Sequence, residues 1–158
     1  LMTHFLVDID RSFLSKVMNV LLIRNPYEII SSYSKVIPNP KMEDLGIKMQ
    51  YDLYHELKKK NQVSIVLDAK ELLKNPKLAL QQLCGKIGIP FQDKMLSWKL
   101  GSIEEDGCWA KYWYKNVHQS TGFMLYQEQE TNLKGSNLDL AESCQPYYNF
   151  LYEHSIKV

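Results

Sequence analysis

The sequence has too little unbalanced charge for a protein that binds a polyanion along a broad surface. The 19 Lys and Arg side chains are opposed by 18 Asp and Glu side chains, so the formal net charge of the 158 residues is +1. This balance argues against wide electrostatic attraction to nucleic acid or to an anionic membrane. An anion that binds here is expected to bind in a local site built from a few placed side chains.

Cysteine and long apolar runs are also scarce. Cys84, Cys108 and Cys144 are widely spaced and contain no C-x-x-C pair, which argues against a disulfide framework and a zinc site. The histidines His55, His118 and His154 lack metal-ligand spacing and are expected at the surface. No apolar stretch approaches the roughly 20 residues of a membrane span, and the N-terminus has no secretion-signal pattern. We therefore expect a cytoplasmic protein without a metal ion or a membrane span.

The apolar runs that are present predict an α/β fold. The segments "NVLLIR" (19–24) and "VSIVLD" (63–68) have the continuous apolar character of strands covered on both faces, which is typical of parallel sheets. Helical spacing and capping residues predict the helices 10–17, 25–36, 42–60, 76–88, 109–117 and 138–154. Strands connected through helices indicate part of a three-layer domain with a parallel sheet, spanning 1–158 as one unit.

The stretch "LLIRNPYEIISS" (21–32) is chemically suited to an anion. Arg24 ends the first strand, Asn25 can cap the next helix, and Glu28 stands three residues after the cap as in a capping box. Ligands of parallel sheets bind beyond the carboxyl ends of the strands, where a guanidinium can hold two phosphate oxygens. The residues alone leave another interpretation open, in which Arg24 forms a surface ion pair and nearby serines bond to helical carbonyls.

Three segments in order resemble the sulfotransferase superfamily. "LLIRNPYEIISSYSKV" resembles its 3′-phosphate-binding segment, in which Arg ends a strand and Ser follows eight positions later. "VLDAKELLKNPKLALQQLCGKIGIPF" is similar to the second signature, a strand, an acidic residue, a leucine pair, Asn-Pro and a helix that ends in Gly-Ile-Pro-Phe. "GSIEEDGCWAKYWYKNVHQSTGF" looks like a region of the bacterial members and of plant members fused to an aminotransferase-like region.

The resemblance implies a P-loop-like fold and transfer of a sulfuryl group. The donor would be 3′-phosphoadenosine 5′-phosphosulfate, and the small-molecule acceptor a hydroxyl or amine. The resemblance makes Arg24 and Ser32 the 3′-phosphate anchors, and the loop from Gly101 to Trp109 would close over the nucleotide, with Trp109 as a wall. It also suggests Lys111 as a nearby cation and His4 as the catalytic base. Core packing of the tryptophan, solvation of the lysine and a frayed terminal histidine are the plain alternatives.

The sequence departs from the family in two places. No strand followed by a Ser/Thr-rich turn with a Lys or Arg is found, so the loop that would hold the 5′-phosphosulfate is missing, and so is its strand. The nucleotide-closing loop reads "KLGSIEEDG", with Glu104 and Glu105 where a cation or proline is usual. Three explanations are open: a C-terminal part of a longer domain, which we favour, a degenerate homologue, or a second chain that completes the sheet.

These observations predict a sulfotransferase-like protein whose catalytic activity depends on the missing loop. The alternative is a catalytically inactive structural or protein-interaction module, in which an exposed sheet edge or the aromatic face near Trp109, Tyr112 and Trp113 binds a partner. A P-loop kinase is disfavoured because neither G-x-x-x-x-G-K nor G-x-G occurs among the seven glycines. The acceptor molecule is not encoded in any recognisable motif.

Overall fold

The fold is built around two parallel strands. The computed structural model describes residues 6, 8–62, 64–108, 110–128 and 130–158. Strands β1 (Asn19–Ile23) and β2 (Ser64–Asp68) pair in parallel, with Leu21 opposite Val66. Both strands coincide closely with the predicted apolar runs, and an α/β fold with a small parallel sheet is confirmed within the described residues.

Helices connect the two strands and pack against the sheet. They are α1 (Pro26–Tyr33), α2 (Met42–Leu45), α3 (Ile47–Lys59), α4 (Ala69–Lys74), α5 (Pro76–Ile87), α6 (Ala110–Trp113), α7 (Lys115–His118) and α8 (Ser136–Glu153), with two 3₁₀ helices at Ser12–Lys16 and Asp93–Leu96. The predicted α5 and α8 are confirmed to within two residues. Asn75 caps α5 by accepting the Leu78 N–H, and Gly88 ends it with a φ of 76°.

Four predicted helices differ from the structure. The single helix 42–60 is divided at Gly46, whose φ of 69° lies in the left-handed region that ends helices. The helix after β1 ends at Tyr33, three residues before the predicted Val36. In place of the predicted helix 109–117, the described residues form two four-residue helices on either side of Tyr114, and the predicted helix 10–17 is a 3₁₀ helix over Ser12–Lys16. Helical spacing of side chains predicted these helices but not their interruptions.

Strand β2 is buried on both faces, whereas β1 is buried on one. The face that carries Leu21, Ile23 and Val66 packs against α3 and α8, which together form the larger apolar core. On the opposite face, Ile65 and Leu67 pack against α5 and the C-terminal tail. Their neighbours on β1 are uncovered: the exposed fractions of Val20 and Leu22 are 40% and 55%.

The C-terminal tail closes the far side of β2. Ser155 forms a parallel bridge to Val66, and the Ile156 N–H donates to the Val66 carbonyl at 2.9 Å. Gln82 of α5 holds the tail by donating to the Lys157 carbonyl. The β2 edge of the sheet is thus covered by the C-terminal tail, which is distant in sequence. The β1 side borders a groove of about 640 Å³.

No helix in the described part of the chain is both long enough and apolar enough to cross a membrane.

Candidate functional site

The turn from β1 into α1 presents Arg24 beside a well-formed helix start. The Asn25 side chain accepts the Tyr27 N–H at 2.9 Å, and Pro26 occupies the first turn, where its missing N–H costs nothing. Glu28 does not form the predicted capping box with Asn25. Its Oε2 accepts from Arg24 Nε at 2.9 Å instead, one turn back along the helix.

Glu28 is held from a second side by Tyr126. The Tyr126 hydroxyl donates to Glu28 Oε1 at 2.9 Å, although the two residues are far apart in sequence. Burial and this hydrogen bond to a carboxylate raise the pKa of Tyr126 to about 12, so the hydroxyl keeps its proton and remains a donor at neutral pH. With both carboxylate oxygens engaged, Glu28 fixes the position of the Arg24 guanidinium, whose side chain is 42% exposed.

Arg24 lines a cavity at the carboxyl ends of both strands. The cavity has a volume of about 640 Å³, in the range of small-molecule sites, and its lining residues are Arg24, Glu28, Ala69, Lys70, Leu73, Asn116, Met124, Leu125, Tyr126 and Gln127. Three stretches of chain contribute: the turn after β1, the turn after β2, and the segment 116–127. This is the edge of a parallel sheet at which ligands usually bind.

Lys70 enters this cavity from the turn after β2. Its ammonium nitrogen lies 5.0 Å from the centre of the Tyr126 ring, within reach of a cation–π interaction. The Tyr126 N–H donates to the Leu73 carbonyl at 3.0 Å, which ties the tyrosine to α4, the helix that carries Lys70. The cavity therefore contains two cations, Arg24 and Lys70, and one carboxylate, Glu28, among its described lining residues.

The other sequence-predicted site residues lie apart from this cavity or outside the described residues. Ser32 is exposed near the end of α1, and Lys111 is exposed on α6 with its ammonium 4.8 Å from the Tyr112 ring centre. Neither Ser32, Lys111 nor Gly101 is among the described residues that line the Arg24 cavity. His4 and Trp109 lie outside the described residues.

The loop that begins at Gly101 is fastened to α7. Gly101 has a φ of 99°, which favours glycine, and its N–H donates to the His118 carbonyl at 2.9 Å. Asp106 accepts from the Ile103 N–H and lies 2.7 Å from His118 Nε2. These two contacts lower the pKa of Asp106. His118 is half-buried against this loop, with 24% of its side chain exposed.

Glu104 and Glu105 are both exposed in this loop. The loop is indirectly linked to the Arg24 cavity. Asn116, which lines the cavity, belongs to the same short helix α7 whose last residue holds Gly101.

The turn from β2 into α4 contains two buried carboxylates. Asp68 caps α4 by accepting the Lys70 and Glu71 N–H groups, and it also accepts from the Tyr148 hydroxyl at 3.0 Å. Its burial raises its pKa, and that of Tyr148 is raised by burial and by the neighbouring carboxylate. These hydrogen bonds connect the end of the sheet to α8.

Glu71 is the second of these carboxylates, with a side chain that is 2% exposed. It accepts from Lys74 and Tyr152, each at 2.7 Å, and from the Val158 N–H at 3.2 Å. Burial alone would raise the pKa of Glu71, but these three donors outweigh it and lower the pKa to about 2. Glu71 thereby joins α4, α8 and the C-terminal tail, which is a structural role.

Sequence reasoning missed Lys70, Tyr126 and Asn116. Lys70 follows a strand, as Arg24 does, so the rule that ligands bind at carboxyl ends of strands could have pointed to it. Tyr126 and Asn116 stand in a segment with no regular pattern, and no sequence signal places them beside Arg24.

Two curated plant proteins are similar to nearly the whole chain. The chain is 40% identical over 149 residues to branched-chain-amino-acid aminotransferase-like protein 1 of Arabidopsis thaliana, covering 94% of this chain and 27% of that protein. It is 36% identical over 149 residues to protein 2 of the same name and organism, covering 94% and 26%. The chain thus spans about a quarter of the length of these relatives. No solved structure gives a significant match.

The family comparison extends over nearly the whole chain. The family model described as a sulfotransferase domain matches residues 1–154. That range contains the two strands and eight α-helices of the described residues, and all of the described residues that line the Arg24 cavity. The chain therefore belongs to the sulfotransferase-domain family.

Proposed function

We propose that this chain forms the 3′-phosphate-binding part of a sulfotransferase that uses 3′-phosphoadenosine 5′-phosphosulfate. The complete protein would transfer the sulfuryl group to a hydroxyl or amine of a small-molecule acceptor. The observation that carries the proposal is Arg24, held by Glu28 at the rim of a cavity of about 640 Å³ beyond the carboxyl ends of both strands. A guanidinium kept in place by a carboxylate can donate its remaining N–H groups to phosphate oxygens.

The other parts of the site remain within this proposal. Ser32 would add a hydroxyl donor to the 3′-phosphate, Gly101 and Trp109 would belong to the loop over the nucleotide, and Lys111 would supply a nearby cation. His4 would take the proton from the acceptor. We place the reaction in the cytoplasm, and the free thiols of Cys84, Cys108 and Cys144 support this.

The proposed fold is a P-loop-like three-layer domain whose sheet is completed by a further segment or a second chain. The uncovered face of β1, with Val20 and Leu22 exposed, supports this addition. In the full-length protein, hydrogen exchange of the backbone amides of 19–23 should then be as slow as that of 64–68. Exchange within seconds at 19–23 alone would contradict the completed sheet.

Calorimetric titration of the full-length protein with 3′,5′-adenosine bisphosphate tests the nucleotide site. Arg24→Ala should lower the affinity at least tenfold, because a charge-assisted hydrogen bond to a phosphate contributes about 1.5–3 kcal/mol. Arg11→Ala is the matched control: Arg11 is 40% exposed and pairs with Glu56 at 3.2 Å, outside the residues that line the cavity. Equal affinities of the two variants would overturn the assignment of Arg24.

A second candidate function is a noncatalytic interaction module. The cluster of exposed apolar side chains beside β1 favours it, since Phe13, Val17 and Met18 are 38%, 52% and 48% exposed next to the uncovered strand. This function predicts no heat on nucleotide addition and loss of a co-purifying partner when Leu22 is changed to Glu. Nucleotide binding by the wild-type protein would contradict this second function.

A further inference from the structure

Lys70 is the second cation of the Arg24 cavity, and neither the family resemblance nor the sequence patterns assign it a role. It stands two residues after β2, in the first turn of α4. Its ammonium lies against the Tyr126 ring at 5.0 Å. Among the described residues, no carboxylate forms an ion pair with it.

The charge of the cavity is decided by Lys70. Arg24 is already paired with Glu28, so the two side chains together carry no net charge. A phosphomonoester carries a charge between about −1.5 and −2 at neutral pH. Arg24 alone therefore supplies donors but leaves this charge uncompensated, and Lys70 is the lining residue that can offset it.

Tyr126 holds both cations at one place. Its hydroxyl bonds to the carboxylate that positions Arg24, and its ring contacts the Lys70 ammonium. The backbone bond from Tyr126 to Leu73 keeps the ring against α4. Tyr126 thus contacts the Lys70 ammonium directly and is linked to the Arg24 guanidinium through Glu28.

We propose that Lys70 binds the same phosphate as Arg24 and makes the cavity selective for a nucleotide that carries a 3′-phosphomonoester. This inference rests on the proposed function, because it concerns the same nucleotide. A lysine ammonium acts as a compact charge with three donors, so it can approach the phosphate while Arg24 keeps its bond to Glu28. The consequence is selectivity by charge: a nucleotide without the 3′-phosphate gains nothing from Lys70.

The test compares two nucleotides on the full-length protein by calorimetric titration. The wild-type protein should bind 3′,5′-adenosine bisphosphate at least tenfold more tightly than adenosine 5′-monophosphate. Lys70→Gln should weaken the bisphosphate about tenfold, the effect of one charge-assisted bond, and change the monophosphate less than about twofold. Lys70→Arg keeps the charge and should recover most of the affinity.

Lys58→Gln is the matched control, because the Lys58 ammonium also lies over a tyrosine, 5.9 Å from the centre of the Tyr54 ring. Lys58 is not among the described residues that line the Arg24 cavity. It should leave both affinities unchanged. If the wild-type protein prefers the bisphosphate but Lys70→Gln binds it equally well, the role of Lys70 is overturned and the proposed function stands. If the wild-type protein binds the two nucleotides equally or not at all, both are overturned.

Discussion

The two strand-to-helix turns of this protein use the same set of groups in different surroundings. At the first turn, Glu28 accepts from the cation Arg24 and from the hydroxyl of Tyr126. At the second turn, Glu71 accepts from the cation Lys74 and from the hydroxyl of Tyr152. In each turn the glutamate stands three residues after the residue that caps the helix.

The difference between the turns is what covers the carboxylate. The cations are equally exposed, at 42% for Arg24 and 41% for Lys74, but Glu28 is 13% exposed and Glu71 is 2% exposed. The C-terminal tail closes the second turn by donating the Val158 N–H to Glu71. The first turn opens to a cavity. The same chemistry therefore stabilises the fold where it is closed and can bind a ligand where it is open.

The largest expected effect is at the closed turn. Glu71→Ala leaves the half-buried Tyr152 hydroxyl and the Val158 N–H without their acceptor, so the free energy of unfolding should fall by about 3 kcal/mol or more. Glu28→Ala, the matched variant of the open turn, should lower it by about 1 kcal/mol. Urea denaturation measures both. Equal losses in the two variants would show that the turns do not differ as the structure indicates.

The acid sensitivity of the fold should also depend on the closed turn. The pKa of Glu71 is lowered in the folded protein from the ordinary 4.5 to about 2, so its contribution is present above pH 4.5 and is lost as the pH falls toward 2. The contribution is about 3 kcal/mol. In Glu71→Gln, unfolding free energies measured between pH 5 and 2 should therefore fall less steeply than in the wild-type protein. Parallel curves would contradict the lowered pKa.

The tyrosine hydroxyls give a smaller contrast. Tyr152→Phe removes a bond to a buried carboxylate and should cost about 1.5–3 kcal/mol of unfolding free energy. Tyr126→Phe removes the equivalent bond to the more exposed Glu28 and should cost less than about 1 kcal/mol. Thermal unfolding of the two variants under identical conditions measures the difference. A larger loss for Tyr126→Phe would reverse the comparison.

The smallest expected effect on stability is at Arg24. Arg24→Gln breaks an ion pair whose cation is 42% exposed, so the unfolding free energy should change by less than about 1 kcal/mol. Lys74→Gln should cost more, because Glu71 is then left buried without its cation. Urea denaturation of both variants tests this order. A loss at Arg24 as large as at Lys74 would give Arg24 a structural role.

Much of the fold follows from local sequence patterns. The apolar runs 19–24 and 63–68 predicted both strands, and Asn75, Pro76 and Gly88 predicted the start and end of α5, because capping and left-handed turns depend on neighbouring residues. Gly46 was missed as a helix end, since the apolar spacing continues across it and the spacing outweighed the one glycine.

The sequence by itself determined that two strands are connected through helices, that Arg24 stands at the end of a strand, and to which family the chain belongs. Only the tertiary structure decided which distant groups donate hydrogen bonds to Glu28 and Glu71. Tyr126 reaches Glu28 across 98 positions and Val158 reaches Glu71 across 87, and no local pattern encodes contacts of that range. They arise because packing on the sheet brings distant segments to its carboxyl edge, where burial then decides whether a carboxylate is structural or part of an open cavity.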